Sequence, residues 1–261
     1  MAAVRKLADA LADLGARGLG LALFLAVWEL APRVGLVSST YLSPPSAVVV
    51  SLYAHCSEIV EHFLISLKRV LLGLLISTTV GLIFGLFIGY FKKTEKYLDL
   101  LFQSFRQMSA FALFPVFILL FGLGELSKTL IIFWASMWPI LLNTASGVKH
   151  VDRALIRSAL SMGASRSYIF LKIILPAAAP EIFTGVRLGG SYAVMAVVAA
   201  EMIGATAGLG YLIMYSQETF DTPSMYGGIV SLALLGLGLN YVLHLTEKFF
   251  TSWHTELAVG E

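Results

Sequence analysis

The sequence holds a single cysteine, Cys56, in 261 residues, which excludes an internal disulfide and any cysteine-built metal cluster. Charge is scarce as well. Only 13% of residues are charged and 58% are hydrophobic, with a mean hydropathy of +0.84, where a soluble domain carries about a quarter charged residues. So little polar surface cannot face water on every side, and over much of the chain the solvent must be lipid. There is no Gly-Lys dipeptide, so no phosphate-binding loop of the Walker type exists. The five histidines, His55, His62, His150, His244 and His254, form no i, i+4 pair and no H-E-x-x-H zinc site. A net charge of +2 is too small to suggest nucleic acid as a partner. What remains is an all-α, polytopic membrane protein of one domain with no catalytic machinery of its own.

A helix needs about 20 apolar residues to cross a bilayer, and six stretches qualify. They run over about 18–37, 63–91, 98–123, 126–148, 181–206 and 226–250. The third contains Pro115 and begins as a partly interfacial segment, and the fourth contains Pro139. The fifth is expected to open at Pro180, a residue suited to a helix's first turn. Lys and Arg set the orientation. With the N-terminus in the cytoplasm, all but Arg33, Lys68, Arg69 and Lys128 of the 18 basic residues fall inside. The outer loops 38–62 and 207–225 hold none. Both termini are therefore expected to be cytoplasmic.

The division that follows is a cytoplasmic segment 1–17, a membrane domain 18–250 and a cytoplasmic tail 251–261. Arg5 and Lys6 precede an apolar run, but Asp9, Asp13 and Arg17 intervene and no small-x-small cleavage site follows. Residues 3–15 instead read as an amphipathic helix on the inner surface, with Val4, Leu7, Leu11 and Leu14 in one stripe. Outside, Pro44-Pro45-Ser46 reads as a turn, with Ser46 capping a short helix to about Ile59.

Within the second span, Gly73, Ser77, Gly81, Gly85 and Gly89 recur at every fourth position. Such a stripe lets another backbone approach closely, either within the subunit or at a seam between two copies. Glu201 is an acid in the apolar run 193–203, and an ionisable group at membrane depth is a functional hypothesis by default. It is a candidate for the pathway or gate, or for a structural hydrogen-bonding role. Asn143 and Ser191 are weaker pathway candidates, and Arg187 reads as snorkelling to the interface.

The segment 151–180, VDRALIRSALSMGASRSYIFLKIILPAAAP, is too basic to span and yet helix-prone. Asp152 caps a first helix with Leu155, Ala159 and Met162 on one face. Gly163 ends that helix, Ser165 caps a second, and Pro176 is expected to stop it. A helix–Gly–helix hairpin suits docking in a groove of a cytoplasmic partner, and a plain connecting loop is the other reading.

This segment resembles the cytoplasmic signature loop of binding-protein-dependent ABC importer permeases: E-A-A, three residues, G, nine residues, I-x-L-P. Here Gly163 is the G, and Ile173, Ile174, Leu175 and Pro176 are the I-x-L-P. Arg157, Ser158 and Ala159 stand at E-A-A, so a base replaces the acid. Gly163-Ala164-Ser165 keeps the match specific. The likeness covers roughly residues 20–254 and is similar to the taurine/sulfonate/nitrate branch. It is carried by Tyr41-Leu-Ser-Pro-Pro-Ser, Ser66-Leu-Lys-Arg-Val-Leu-Leu-Gly, Phe121-Gly-Leu-Gly-Glu-Leu-Ser-Lys, Gly185-Val-Arg-Leu, Ala200-Glu-Met-Ile-Gly-Ala, Gly208-Leu-Gly-Tyr and Ser252-Trp-His. Ser109 stands where related sequences usually have proline.

The resemblance implies a type I ABC importer permease fold in the bacterial plasma (inner) membrane. It implies a homodimer around one pathway, a separate ABC ATPase dimer docked on the loop at about 149–178, and an extracytoplasmic binding protein. ATP and Mg would be bound by the partner ATPase, with no cofactor in this chain. Arg157, Ala159, Gly163, Ala164, Ser165, Ile173, Leu175 and Pro176 would make the coupling surface. The solute implied is a small anion, taurine or another sulfonate first, then nitrate, bicarbonate, an aromatic acid or a pyrimidine precursor. A secondary transporter is the distant alternative, and it would need buried coupling-ion acids where only Glu201 qualifies.

Overall fold

The computed structural model describes residues 19–20 and 22–251, and no strand occurs among them. The segment 1–17, with its amphipathic stretch 3–15, and residues 252–261 of the tail lie outside the described residues. The helices are α1 (22–33), α2 (Pro45–Ala54), α3 (Cys56–Tyr90), α4 (Lys92–Gln107), α5 (Ala110–Phe121), α6 (Glu125–His150), α7 (Arg153–Ser161) and α8 (Arg166–Ile169). A π-helical turn over Phe170–Ile174 leads into α9 (Leu175–Gly204), followed by α10 (Leu209–Glu218) and α11 (Thr222–Phe250). Four helices are long and apolar enough to cross a membrane: Cys56–Tyr90, Glu125–His150, the continuous Arg166–Gly204 and Thr222–Phe250. The pair Leu100–Gln107 and Ala110–Phe121, bent by 88°, has the composition of one broken span or of a re-entrant loop. The first expected span, 18–37, is represented by α1, whose described length falls short of the about 20 residues a crossing needs.

The chain divides into two compact units. Among the described residues the smaller takes those from 19 to 60 together with 212–231. Here Trp28 anchors α1, donating from Nε1 to the Ser43 carbonyl at 3.0 Å and meeting the Tyr226 ring at 5.8 Å. Thr222 and Tyr226 donate to the Thr40 and Tyr41 carbonyls, and the Ser51 and Ser224 hydroxyls meet at 2.9 Å. Ser46 does not cap α2 through its side chain. Pro44 is the N-cap residue and Pro45 begins the helix, which stops at Ala54. The Ser46 hydroxyl instead donates to Glu29, 2.7 Å away, so it ties α2 to α1.

Among the described residues the larger unit takes 61–211 and 232–251, and its centre is α6. The most apolar stretch of α6 is 61% buried, against 33% or less in the other spans. Small residues explain how neighbours come so close. A Cβ on Gly85 would sit 2.6 Å from Thr144 Cβ and 2.7 Å from the Leu141 carbonyl, and one on Gly89 would sit 2.7 Å from Val148 Cβ. Gly73 and Gly81 face Ile132 and Ile140 in the same way, and the Ser77 and Ser136 hydroxyls meet at 2.6 Å. The five-residue stripe therefore lies on α6 of its own chain. On α9, Gly185 and Gly189 give Asn143, Pro139 and Ile140 the same access. Helices in lipid associate through such backbone approach, because burying apolar surface gains little there.

Two prolines depart from the expected pattern. Pro176 does not stop a helix, and Pro180 does not open one. Pro176 sits in the first turn of α9 and Pro180 lies inside it. The π turn is what makes this possible: the Leu175 N–H reaches back five residues to the Phe170 carbonyl. That register widens the helix just ahead of Pro176, so the hairpin helix and the span run on without a break.

The break between α4 and α5 is a different device. Met108 (φ −71°, ψ 120°) and Ser109 (φ −62°, ψ 126°) are extended. These are the angles of a residue before proline and of proline itself. Ser109 thus holds the shape that a proline would impose. Two outcomes are expected in thermal unfolding of the purified protein. Ser109→Pro should leave the midpoint unchanged or raise it, by up to about 1 kcal/mol of stability, and a lowered midpoint would contradict this reading. Gly85→Val should cost about 1–3 kcal/mol through overpacking, while Gly238→Ala, whose Cβ would meet nothing within 4 Å, should be neutral or mildly stabilising.

Candidate functional site

Two constellations emerge, both in the larger unit. The first is the hairpin after α6. Asp152 Oδ1 accepts from the Ala154 N–H at 2.7 Å and so caps α7, and Ser165 Oγ accepts from Tyr168 N–H to cap α8. Between them Gly163 takes φ +78°, a left-handed conformation costly for any residue with a Cβ. Its Ala164 N–H then closes onto the Ala159 carbonyl at 3.0 Å. Ala159, Ala164, Ile173 and Leu175 are half-buried against a cluster built on Val148, Val151, Ile169, Ile174, Ala178 and Ile182. Pro176 is half-buried as well, while Ser165 and Arg157 are exposed, and Arg157 Nε donates to the Arg153 carbonyl.

The apolar face of α7 differs from the expected one. Ile156 and Ala159 pack inward, whereas Leu155, Leu160 and Met162 point away, Met162 being 86% exposed. At 100° per residue, Leu155 and Met162 flank the inward strip on one side and Leu160 flanks it on the other.

The second constellation surrounds Glu201, which is only 1% exposed. Ser66 Oγ donates to its carboxylate at 2.8 Å, Arg69 Nη1 donates to Oε1 at 2.8 Å, and the Gly210 N–H donates to Oε2 at 2.9 Å. Arg69 is itself buried and reaches three ways. Its Nε and Nη2 grip both oxygens of Glu125 at 2.8 and 2.6 Å, and Nη1 also donates to the Ala207 carbonyl. Lys128 Nζ adds an ion pair to Glu125 at 3.0 Å. Arg69, Lys128 and Glu201 are buried, and Glu125, exposed at the start of α6, supplies the second carboxylate from the surface.

The same group holds the start of α10. The N–H groups of Gly208, Leu209 and Gly210 donate to His62 Nδ1, Ser66 Oγ and Glu201 Oε2. These are the orphan donors of a helix N-terminus, and they are satisfied from α3 and α9 instead of from within α10. A carboxylate there also meets the positive end of the helix dipole. Gly208 at φ +121° has no room for a Cβ, which would overlap the Glu201 carboxylate.

The pathway candidates are not gathered. Asn143 Nδ2 donates to the Pro139 carbonyl at 2.8 Å with its Cβ against Gly185, Ser191 is exposed and donates to the Arg187 carbonyl, and Glu201 is enclosed. Arg187 does more than snorkel, since it pairs with Glu247 at 3.1 Å. The residues that sequence reasoning missed are Ser66, Arg69, Glu125 and Lys128. Their signal was available: basic residues on the sparsely charged face, and only a few acids to match them.

Four continuous helices long and apolar enough to cross a membrane, beside one bent apolar pair, define a polytopic helical membrane protein. The chain belongs to the binding-protein-dependent transport system inner membrane component family, whose pattern matches residues 78–252. It is therefore a multi-pass permease of the inner membrane and not an enzyme. It is 33% identical over 244 residues to the taurine transport system permease protein of Escherichia coli, covering 91% of this chain and 89% of that one. It is 34% identical over 234 residues to a protein of Bacillus subtilis named as an aliphatic sulfonates transport permease, covering 89% and 85%. The fold is similar to a chain of the MetNI methionine ABC transporter in an inward-facing conformation. The TM-score is 0.67 at 16% identity, with 76% of this chain and 98% of that chain covered.

Removing one member of the buried pair leaves the other uncompensated, which costs about 3–5 kcal/mol. Glu201→Ala should therefore lower the unfolding midpoint sharply. The double variant Arg69→Met/Glu201→Leu should lose less than the sum of its single changes, by at least about 1 kcal/mol. Additive losses would show that the pair is not energetically coupled.

Proposed function

We propose that the chain is the membrane subunit of an ATP-driven importer of a small sulfonate, of the taurine type. It works as a homodimer with a separate ATPase dimer and an extracytoplasmic binding protein. The names of the E. coli and B. subtilis relatives support the substrate class. ATP and Mg belong to the ATPase, and both termini of this chain face the cytoplasm with it. The positive-inside pattern supports that orientation.

The exposed Leu155 and Met162, which share one face of α7, carry the docking assignment. Exposed apolar groups clustered on a charged hairpin outside the bundle mark a protein interface, and a helix laid in a groove is the mode they suit. Arg157, Gly163, Ala164 and Ser165 lie on the same hairpin, with Ile173, Leu175 and Pro176 fastening it to α9. A ligand-driven closure of the ATPase would shift the permease only through such differential contacts. Glu201 acts as a structural tie: its oxygens are engaged by Ser66, Arg69 and Gly210, so it offers no coupling-ion site of the kind a secondary transporter needs.

The test is ATP-dependent uptake and ATPase activity in the reconstituted complex. Gly163→Arg places a long cation at a left-handed turn with open space around it. It should abolish uptake and lose the stimulation of ATPase by loaded binding protein, while the complex still assembles. Wild-type uptake by the assembled variant would overturn the docking assignment, and uptake without ATP would overturn the importer reading.

A further inference from the structure

Two cavities meet where the hairpin reaches the end of α3, both within the larger unit. One, of about 560 Å³, is lined by Lys149, Arg153 and Arg166 with Tyr90, Ile156 and Leu160 among its other walls. The other is a groove of about 580 Å³ lined by Ile83, Phe87, Phe91 and Leu171, together with Arg166 and Ser167. Tyr90 and Arg166 line both, and no acidic residue lines either. A cationic cavity and an apolar groove thus share one arginine and one aromatic ring.

Arg153 and Arg166 are exposed and pair with no carboxylate among the described residues. Asp152, next to Arg153 in the chain, spends Oδ1 on the Ala154 N–H. The groove runs from these charges along a span. Ile83 lies about 10 Å along α3 from Tyr90, and both belong to a helix long and apolar enough to cross the membrane. Ile83, Phe87 and Leu171 are 61%, 51% and 56% exposed. Its aromatic side is braced ring on ring: Phe87 meets Phe91 at 4.8 Å, Phe91 meets Tyr90 at 5.1 Å, and Tyr90 meets Phe170 at 5.5 Å. Aromatic rings of this kind gather where hydrocarbon gives way to headgroups. Leu155 and Met162, the docking residues of α7, line neither cavity.

The ligand that fits is anionic at one end and aliphatic along the rest. A free anion would leave the groove unfilled, and a zwitterionic lipid brings a cation of its own to the arginines. We propose that the paired cavities are a binding site for an anionic phospholipid of the cytoplasmic leaflet. Arg166, with Arg153 and Ser167, holds the phosphate, and an acyl chain lies along Ile83, Phe87 and Leu171. Arginine grips phosphate through parallel N–H donors, and basic pockets at the cytoplasmic ends of spans suit anionic headgroups. A lipid held there fastens the base of the hairpin to the leaflet and leaves Leu155 and Met162 to the ATPase. The proposal rests on the cytoplasmic placement of the hairpin in the permease reading and adds a lipid site to it.

The test titrates dioctanoyl phosphatidylglycerol or dioctanoyl phosphatidylcholine into the intact permease–ATPase complex in detergent and counts bound lipid by native mass spectrometry. Saturable, preferential binding of phosphatidylglycerol is expected, undisturbed by an excess of inorganic phosphate. Arg153→Gln/Arg166→Gln should weaken it by about tenfold, the scale of one lost charge-assisted contact. Phe87→Ser should weaken it as well, and Arg166→Lys should retain part of it. Equal binding of the two lipids, or an unchanged affinity in the double variant, would overturn the site. Displacement by inorganic phosphate would overturn it by showing a free-anion site. Loss of the ATPase from the double variant with lipid binding intact would do so by showing an ATPase contact. ATP-driven uptake with the binding protein is read in parallel. Normal uptake without lipid preference removes the site and leaves the permease reading standing, whereas lipid preference without any ATP-driven uptake removes the importer reading alone.

Discussion

Close approach of α3 and α9 to α6 is the constraint on which the larger unit depends. Lipid offers no hydrophobic gain for bringing two apolar helices together, so cohesion must come from contact itself. Gly73, Gly81, Gly85 and Gly89 on one neighbour, and Gly185 and Gly189 on the other, bring backbones within reach of β-branched side chains on α6. Ile132, Ile140, Thr144 and Val148 fill the space that the missing Cβ atoms leave. Few rotamers are available to these side chains, so the fit is stiff as well as close.

Charge is organised by the same economy. With 13% charged residues in the sequence, few ionic groups are left over for the membrane unit, and the buried Arg69 and Glu201 meet each other. Arg69 joins the sole buried carboxylate on α9 to Glu125 at the start of α6, and Lys128 completes the balance. The group also spends its acceptors on the N–H groups that begin α10, so one cluster serves as ion pair and helix cap together. Removing Glu201 therefore has two costs, an unpaired Arg69 charge and an open N–H at the start of α10.

Local features were legible in the sequence because their causes are local. Asp152, Gly163 and Ser165 mark helix ends by chemistry that acts within three or four residues. The glycine stripe was visible as a period, but a period cannot say which helix it meets, and only the structure sets it against α6. The Arg69–Glu201 pair joins residues 132 apart, a distance at which a sequence shows two charges and no bond between them. Pro176 misled because a proline's usual effect was read without the π turn that absorbs it. Ser109 is the reverse case: the residue changed and the backbone shape stayed.

The prolines of α9 also decide where that helix can bend. Pro176 and Pro180 each leave a carbonyl one turn back without its usual donor, and both lie within the first six residues of the helix. Farther along, Gly185 and Gly189 clamp the helix on α6, and Glu201 is tied at the other end. Compliance is thus confined to one end of a rod that is otherwise held. A load applied at the hairpin would be taken up first as flexure beside Pro176, and only the excess would travel on as rotation of the clamped length.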